Sequence, residues 1–398
     1  MRESSSFSLY IHIPFCIAKC PYCDFNSYAV GKTAPDEPGY VQAVTQEIAY
    51  YAEEKGWKQK ECLSIFFGGG TPSLLKPESI SEILNSCKKH FLVSEKTEIT
   101  LETNPGTVQE ELGREKLSAF FNLGVNRISL GAQSFSKEKL SFLGRLHSPE
   151  DVRKACENIV SAGFSNFNID LMHGTNVETI ETWTFDLASA ISLKPTHISA
   201  YGLTIEPGTE FGRRAKKGEV LQTNEDLQAR LYVDTQDILL QAGYAQYEIS
   251  NFSKPEKECL HNLSYWTGID YLGIGAGAHS FKRAEKGSSH FGYRWSNIPG
   301  TQHYQERALK EGSTIQREDE VTLDEAKVEF FFLGLRTVLG FSKEQYETLF
   351  GESFGKFAET LNRLSKEGLI QENGAVVSLT KKGFLFADYV TKEFCQEV

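Results

Sequence analysis

Between Leu9 and about Ser280 the chain alternates short apolar runs with longer amphipathic ones, and nothing else in it restricts the fold so much. Strand-length runs fall at 9–13, 62–67, 98–102, 127–130, 166–171 and 197–201. Helix-length stretches fall at 40–55, 77–90, 149–162 and 180–193. Parallel strands need a crossover to return to the same end of a sheet, so this rhythm predicts parallel βα units. Six of them fit an α/β barrel or partial barrel, whose chemistry gathers at the C-terminal ends of the strands. The residues most suited to chemistry fall there: the segment from Cys16 to Cys23, the run from Gly68 to Thr71, Glu102, Gln133 and Asp170.

Cys16, Cys20 and Cys23 are spaced CxxxCxxC directly after the first apolar run. A CxxC pair alone could be a redox dithiol or half a zinc site. A third thiolate with no fourth Cys or His close in sequence points to an iron–sulfur cluster that keeps one iron open to a ligand. Cys62, Cys87, Cys156 and Cys395 stand alone and read as reduced thiols of a cytoplasmic protein.

At 398 residues the chain exceeds what one core usually serves, and it divides into a large domain over 1–280 and a smaller one over 281–398. No apolar run approaches membrane-spanning length, and the polar first eight residues carry no secretory signal. A net charge of −11 argues against a general grip on nucleic acid. In the smaller domain, helical patterns at 324–340 and 357–367 lead into two short strands around Asn373-Gly374, a strong hairpin signal. That order resembles a winged helix, and the acidic balance makes it a packing module.

Gly68, Gly69 and Gly70 follow the second apolar run. Without side chains they let backbone amides approach a ligand closely, and Thr71 adds a hydroxyl. Glu102, Gln133, Arg145 and Asp170 are polar groups grouped at strand ends. His261 lies in Cys-Leu-His-Asn-Leu-Ser-Tyr-Trp (259–266), which sets an imidazole near two aromatic rings.

Taken together, segments 9–16, 67–73, 129–135, 143–147, 168–171 and 271–280 resemble the radical S-adenosylmethionine (SAM) superfamily. Within it they resemble the coproporphyrinogen III dehydrogenase family, HemN and its HemW relatives. The resemblance implies an incomplete (β/α)6 radical SAM barrel with a C-terminal winged-helix-like module. It further implies a 4Fe-4S cluster on the three cysteines, with the amino and carboxylate groups of SAM on the open iron. Tyr10, Gly69, Gly70, Thr71, Glu102, Gln133, Arg145 and Asp170 fall on SAM-binding positions of the dehydrogenase, and Tyr22 on an aromatic position beside the adenine. The dehydrogenase branch carries CxxxCxxCxC and a long N-terminal extension. Here the last cysteine is replaced by Phe25 and nine residues precede Tyr10.

The HNxxYW pattern at 261–266 likewise resembles the HemW branch, and the resemblance implies haem bound by the His261 imidazole and flanked by Tyr265 and Trp266. The implied function is that of a haem chaperone, with haem and haem-requiring acceptor proteins as partners; peripheral membrane contact and a homodimer stay open. The alternative is an oxygen-independent coproporphyrinogen III dehydrogenase, a radical SAM oxidative decarboxylase of porphyrin biosynthesis. One stretch departs from the family: Gly-Thr-Asn-Val-Glu (174–178) stands where Gly-Leu-Pro-x-Gln is usual.

Overall fold

The computed structural model describes residues 6–30, 36–54, 56–58, 60–285 and 287–398. All six expected strands form: β1 (Ser6–Ile13), β2 (Glu61–Gly69), β3 (Glu98–Thr103), β4 (Arg127–Gln133), β5 (Phe167–His173) and β6 (His197–Gly202). Each pairs in parallel with the next. The crossovers carry α1 (Glu37–Glu54), α2 (Pro77–His90), α3 (Glu111–Leu123), α4 (Pro149–Ser161) and α5 (Ile180–Ser192). The sequence pattern leaves α3 unmarked, because its buried face is only Gly113, Leu117 and Phe120.

Side chains alternate faces along a strand, and in β1 this divides labour. Phe7, Leu9, Ile11 and Ile13 enter the main core, where Phe7 meets Trp57 and Phe91 edge-on. Ser8, Tyr10 and His12 take the opposite face, the one that bears the candidate site.

The sheet continues beyond the six strands. Helix α6 (Glu225–Gln241) precedes β7 (Ala245–Glu248) and β8 (Asn251–Ser253); a short helix, α7 (Leu260–Trp266), precedes β9 (Tyr271–Ile274), β10 (His279–Arg283), β11 (Gly292–Asn297) and β12 (Ile315–Val321). The order across the twelve strands is β12-β11-β10-β9-β1-β2-β3-β4-β5-β6-β8-β7. Strand β9 is parallel to β1, and the outer strands are antiparallel. The sheet stays open, its two rims being β12 and β7, as a partial barrel requires. The outward run from Gln316 to Glu320 along β12 is exposed.

The sheet thus extends past residue 280, and a second core begins at Phe331, joined by Phe341, Tyr346, Phe357, Leu364 and Phe394. Around it lie α8 (Leu323–Gly334), α9 (Ala358–Lys366) and a three-stranded sheet of β13 (Phe341–Ser342), β14 (Ile370–Asn373) and β15 (Val376–Leu379). Gly374, at φ +61°, makes the hairpin turn between β14 and β15. The helical pattern at 324–340 ends early, at Gly334, because the chain then turns back to the barrel rim. There Ile249 N–H donates to Arg336 O at 2.9 Å and Val338 N–H to Tyr247 O at 3.1 Å. No helix among the described residues is long and apolar enough to cross a membrane.

Candidate functional site

The cysteine loop springs from the end of β1. Phe15–Cys16 pairs in parallel with Tyr28–Ala29, which closes the segment between them into a loop. The glycine run at the end of β2 seats this loop: Gly70 N–H donates to Ile13 O at 2.7 Å and Thr71 N–H to Phe15 O at 2.8 Å. A Cβ on Gly70 would stand 2.6 Å from Phe15 O and 2.7 Å from Ile13 O. Gly69, at φ +104°, lies against the His12 ring, 2.3 Å from where its own Cβ would be. The glycines therefore hold the cysteines in place as well as clearing room for a ligand. Gly70→Val is expected to lower bound iron and SAM affinity together, read as the iron-to-protein ratio and by equilibrium binding. Full iron with lost SAM binding would confine Gly70 to ligand approach.

The thiols are held from the strand ends. Thr71 Oγ1 donates to Cys16 Sγ at 3.7 Å, Arg145 Nη1 donates to Cys20 Sγ at 3.5 Å, and Cys23 Sγ lies 4.0 Å from Ser27 Oγ. Burial pushes the Cys16 and Cys23 thiols up, and the nearby sulfurs add to the shift, so three anionic sulfurs here call for positive charge. Among the described residues no three His, Cys, Asp or Glu side chains converge on one ion. The cysteines are electrostatically coupled without forming a preformed single-ion cage. Asn104 ties the two supports together: its Nδ2 donates to Thr71 Oγ1 at 2.7 Å, and its Oδ1 accepts from Arg145, whose Nη2 also donates to Gly131 O at 2.7 Å.

Beside the loop the strand ends present a polar cradle. Glu102 accepts from Gly69 N–H at 3.1 Å, and its carboxyl is pushed up to about 8, chiefly by burial and then by the charge of Asp170. Gln133 is held at φ +70°, a strained setting for a side-chain-bearing residue, and its buried Oε1 has no partner. Asp170 is fixed by Ser129 Oγ at 3.2 Å, Asn168 Nδ2 at 2.6 Å and Tyr201 Oη at 2.6 Å. Tyr22 packs at the lip of the barrel, its ring centroid 6.4 Å from that of Phe211. A raised carboxyl and an orphan amide oxygen fit a cationic amino-acid cofactor, and three thiols carried on the adjoining loop fit a metal cluster.

Tyr10 connects this cradle to the HNxxYW segment. Asn26 O can only accept, so His12 Nε2 carries the proton at 2.8 Å and His12 Nδ1 accepts from Tyr10 Oη at 3.0 Å. The Tyr10 ring stacks on Phe66, and Phe66 stacks on His261 with centroids 4.8 Å apart. A cavity of about 480 Å³ lined by Tyr10, Phe25, Tyr265 and His279 opens between the cysteine loop and α7.

His261 is buried on α7 under β1 and β2. Ser8 and Ser64 are register partners on those strands. Ser64 Oγ donates to Ser8 Oγ at 2.9 Å, Ser8 Oγ donates to Ser264 Oγ at 2.6 Å, and Ser264 Oγ donates to Leu260 O at 2.8 Å. Ser64 has thus spent its proton, so His261 Nδ1–H donates to it at 2.8 Å and Nε2 keeps a lone pair, 3.2 Å from Tyr265 Oη. Burial, then the charge of Arg127, pushes the imidazole down to about 3, so it is neutral at physiological pH. Cys259 is buried, donates to Glu98 Oε1 at 3.4 Å and is pushed up to about 12 by burial, the state of an inert thiol.

The departure at 174–178 has a local partner. Glu178 accepts from Lys139 and from Gly174 N–H, and Lys139 also lies 3.1 Å from Asp186, forming a fully buried ion-pair group. Paired to Lys139, the carboxylate is accommodated where the family has an amide. Asn104, His12 and the serine relay escape sequence reading because each is a common residue type. The one hint was a hydroxyl at the same register in two apolar strands.

The chain matches the Radical SAM superfamily over residues 10–187 and the HemN C-terminal domain over residues 321–386. It is 36% identical to heme chaperone HemW of Haemophilus influenzae and 35% identical to that of Escherichia coli, covering all of both chains in each case. It is 35% identical to heme chaperone HemW of Bacillus subtilis over 98% of this chain and all of the relative. Among solved structures, coproporphyrinogen III oxidase (HemN) from Escherichia coli, a radical SAM enzyme, superposes with a TM-score of 0.81 at 24% identity, covering 99% of this chain and 91% of that one. This last likeness is one of fold.

Proposed function

Since the chain belongs to the HemW family of radical SAM proteins, we propose that it binds haem and passes it to haem-requiring proteins, His261 being the residue that meets the iron. The observation that carries this reading is the tautomer of His261. A metal-binding imidazole donates one ring N–H to a fixed acceptor and offers the other nitrogen. Ser64, Ser8 and Ser264 fix the Nδ1 proton, and Nε2 is engaged only by the rotatable Tyr265 hydroxyl. The low pKa keeps that lone pair available through physiological pH.

In this reading Cys16, Cys20 and Cys23 hold the 4Fe-4S cluster that the family implies, and Gly69, Gly70, Thr71, Glu102, Gln133, Arg145 and Asp170 form the SAM cradle, with Tyr10 and Tyr22 at its edges. When bound, the cluster supplies electrons and an open iron to SAM. The chain's own part is to orient: Arg145 and Thr71 brace two of the sulfurs, Glu102 receives hydrogen-bond donors or positive charge, and Gln133 offers an acceptor. Phe25 supports the chaperone reading over the dehydrogenase, since an exposed phenyl ring stands where that branch has a further thiol.

Purified chain should bind haem, and His261→Ala should shift the Soret band and raise the dissociation constant, because an axial ligand is lost. Anaerobic incubation with coproporphyrinogen III, reductant and SAM should give little or no protoporphyrinogen. Robust conversion, together with an unchanged haem spectrum in His261→Ala, would overturn the proposal in favour of the dehydrogenase.

A further inference from the structure

Three buried charged side chains, Lys139, Glu178 and Asp186, take no part in the function proposed above. Charge is costly to take out of water, and two carboxylates on one ammonium are not fully neutralised. Burial, opposed by Lys139, pushes the Glu178 carboxyl up. Apolar side chains would fill the same space at lower cost, so the worth of the group lies in what it ties together.

It ties down the segment that carries Gln133. Leu130 of β4 pairs with Ile169 of β5, and Gln133 with Leu171, so three steps along one strand match two along the other. The extra residue makes a bulge, which bends a strand and re-aims its side chains. Gln133 then turns left-handed at φ +70°, a region that glycine and asparagine enter far more readily than glutamine. Its amide comes to lie over Gly131, beside Arg145 and Asn104. A Cβ on Gly131 would stand 3.2 Å from Gln133 Nε2, 3.5 Å from Arg145 Nη2 and 3.1 Å from Asn104 Oδ1.

A turn this unfavourable must be held from outside, and Asp186 on α5 holds it. Its Oδ1 accepts from Phe135 N–H at 2.5 Å, and Ser134 Oγ lies 3.0 Å and 2.8 Å from its two oxygens. The Ser134 hydroxyl also accepts from Ser136 N–H at 2.9 Å. The two residues that follow Gln133 are thus fastened to one carboxylate. Lys139 fixes that carboxylate in turn: its Nζ lies 3.1 Å from Asp186 Oδ2 and 4.8 Å from the Trp183 ring centroid, and it pairs with Glu178. Glu178 accepts from Gly174 N–H, which anchors the group to the end of β5.

We propose that Asp186, backed by Lys139 and Glu178, is a positioning residue for the cofactor: it fastens Ser134 and Phe135 so that the bulged end of β4 aims the Gln133 amide into the SAM cradle. The inference rests on the SAM cradle of the reading above.

The test measures SAM affinity of the anaerobically reconstituted full-length chain by equilibrium dialysis, with iron-to-protein ratio and circular dichroism read on the same samples. Gln133→Ala and Asp186→Ala should each weaken SAM binding about tenfold at unchanged iron content, as loss of a well-placed buried hydrogen bond does. The double variant should bind no more weakly than the weaker single one, since a residue that acts through Gln133 has nothing left to act on. Ser134→Ala, which cuts one link and leaves the charges paired, should weaken binding about threefold, and not at all in the Gln133→Ala background. It carries the test should Asp186→Ala fail to fold. Lys139→Met should weaken binding as Asp186→Ala does, and adding Glu178→Gln, which removes one of two carboxylates left without a counter-charge, should recover part of the loss. Losses that add in full in the double variants would make Asp186 and Ser134 merely structural and overturn the proposal. Wild-type affinity in Asp186→Ala and Ser134→Ala, alongside weakened binding in Gln133→Ala, would overturn it and leave the cradle standing. Undiminished binding in Gln133→Ala would remove that residue from the cradle and the proposal with it. Absence of SAM binding by the reconstituted wild type would overturn both readings.

Discussion

Anaerobic reconstitution of the wild-type chain is expected to give about four irons per chain, and Cys20→Ala is expected to retain almost none. Cys20 is the middle thiol of the motif, and its sulfur takes the hydrogen bond from Arg145, which is itself tied to Asn104 and Gly131. On the proposed assignment, removing it deletes a ligand and leaves the guanidinium facing an empty corner. The fold should survive, because Cys20 is half-exposed and lies outside the apolar core, where substitutions cost little. Circular dichroism and thermal midpoint should therefore match wild type within a few degrees while the iron is lost. A full iron complement in Cys20→Ala would remove this residue from the cluster.

The second large effect concerns Glu102. Its carboxyl titrates near pH 8 in the free protein, against 4.5 for an ordinary glutamate. SAM offers hydrogen-bond donors and positive charge, both of which favour the ionised form, so below pH 8 binding must first remove a proton. SAM affinity should rise toward pH 8, by up to about tenfold per unit, and flatten above it. Glu102→Gln should show no such slope and should bind about tenfold more weakly at pH 8. The sign for stability is opposite. With the folded pKa raised, the carboxyl's contribution is fully present below about pH 4.5 and is lost as pH rises through 8, so Glu102→Gln should stabilise the cofactor-free protein at pH 8. A flat wild-type profile, with undiminished binding in the variant, would exclude Glu102 from the cradle.

The parallel strands were legible because both of their faces are largely buried: one face is a row of core apolar side chains, and the polar residues of the other alternate with it at the period of a strand. The outer antiparallel strands were not, since one face meets water and their sequences look like loops. Ile-Gln-Arg-Glu-Asp-Glu-Val of β12 is the clearest case. In the site, the cysteines, glycines and carboxylates stand out because their residue types are rare or costly at strand ends. Asn104 carries no such mark: its meaning arises only when the end of β3 is brought against Thr71 and Arg145, and no local pattern encodes that meeting. His261 lay between the two cases. Its neighbours in sequence suggested a ligand, while two of the three serines that set its tautomer, Ser8 and Ser64, come from β1 and β2, some two hundred residues or more away.

The charges along β12 bear on how copies of this protein coexist. An unclosed sheet leaves main-chain donors and acceptors bare at its margin, an invitation to lateral growth into fibrils or runaway strand exchange. Here Arg317, Glu318, Asp319 and Glu320 crowd that margin with water-loving, mostly like-signed groups. A second molecule approaching edge-on would have to strip their hydration and press acid against acid. The β12 rim of the open sheet is thus guarded by charge against edge-on pairing of copies.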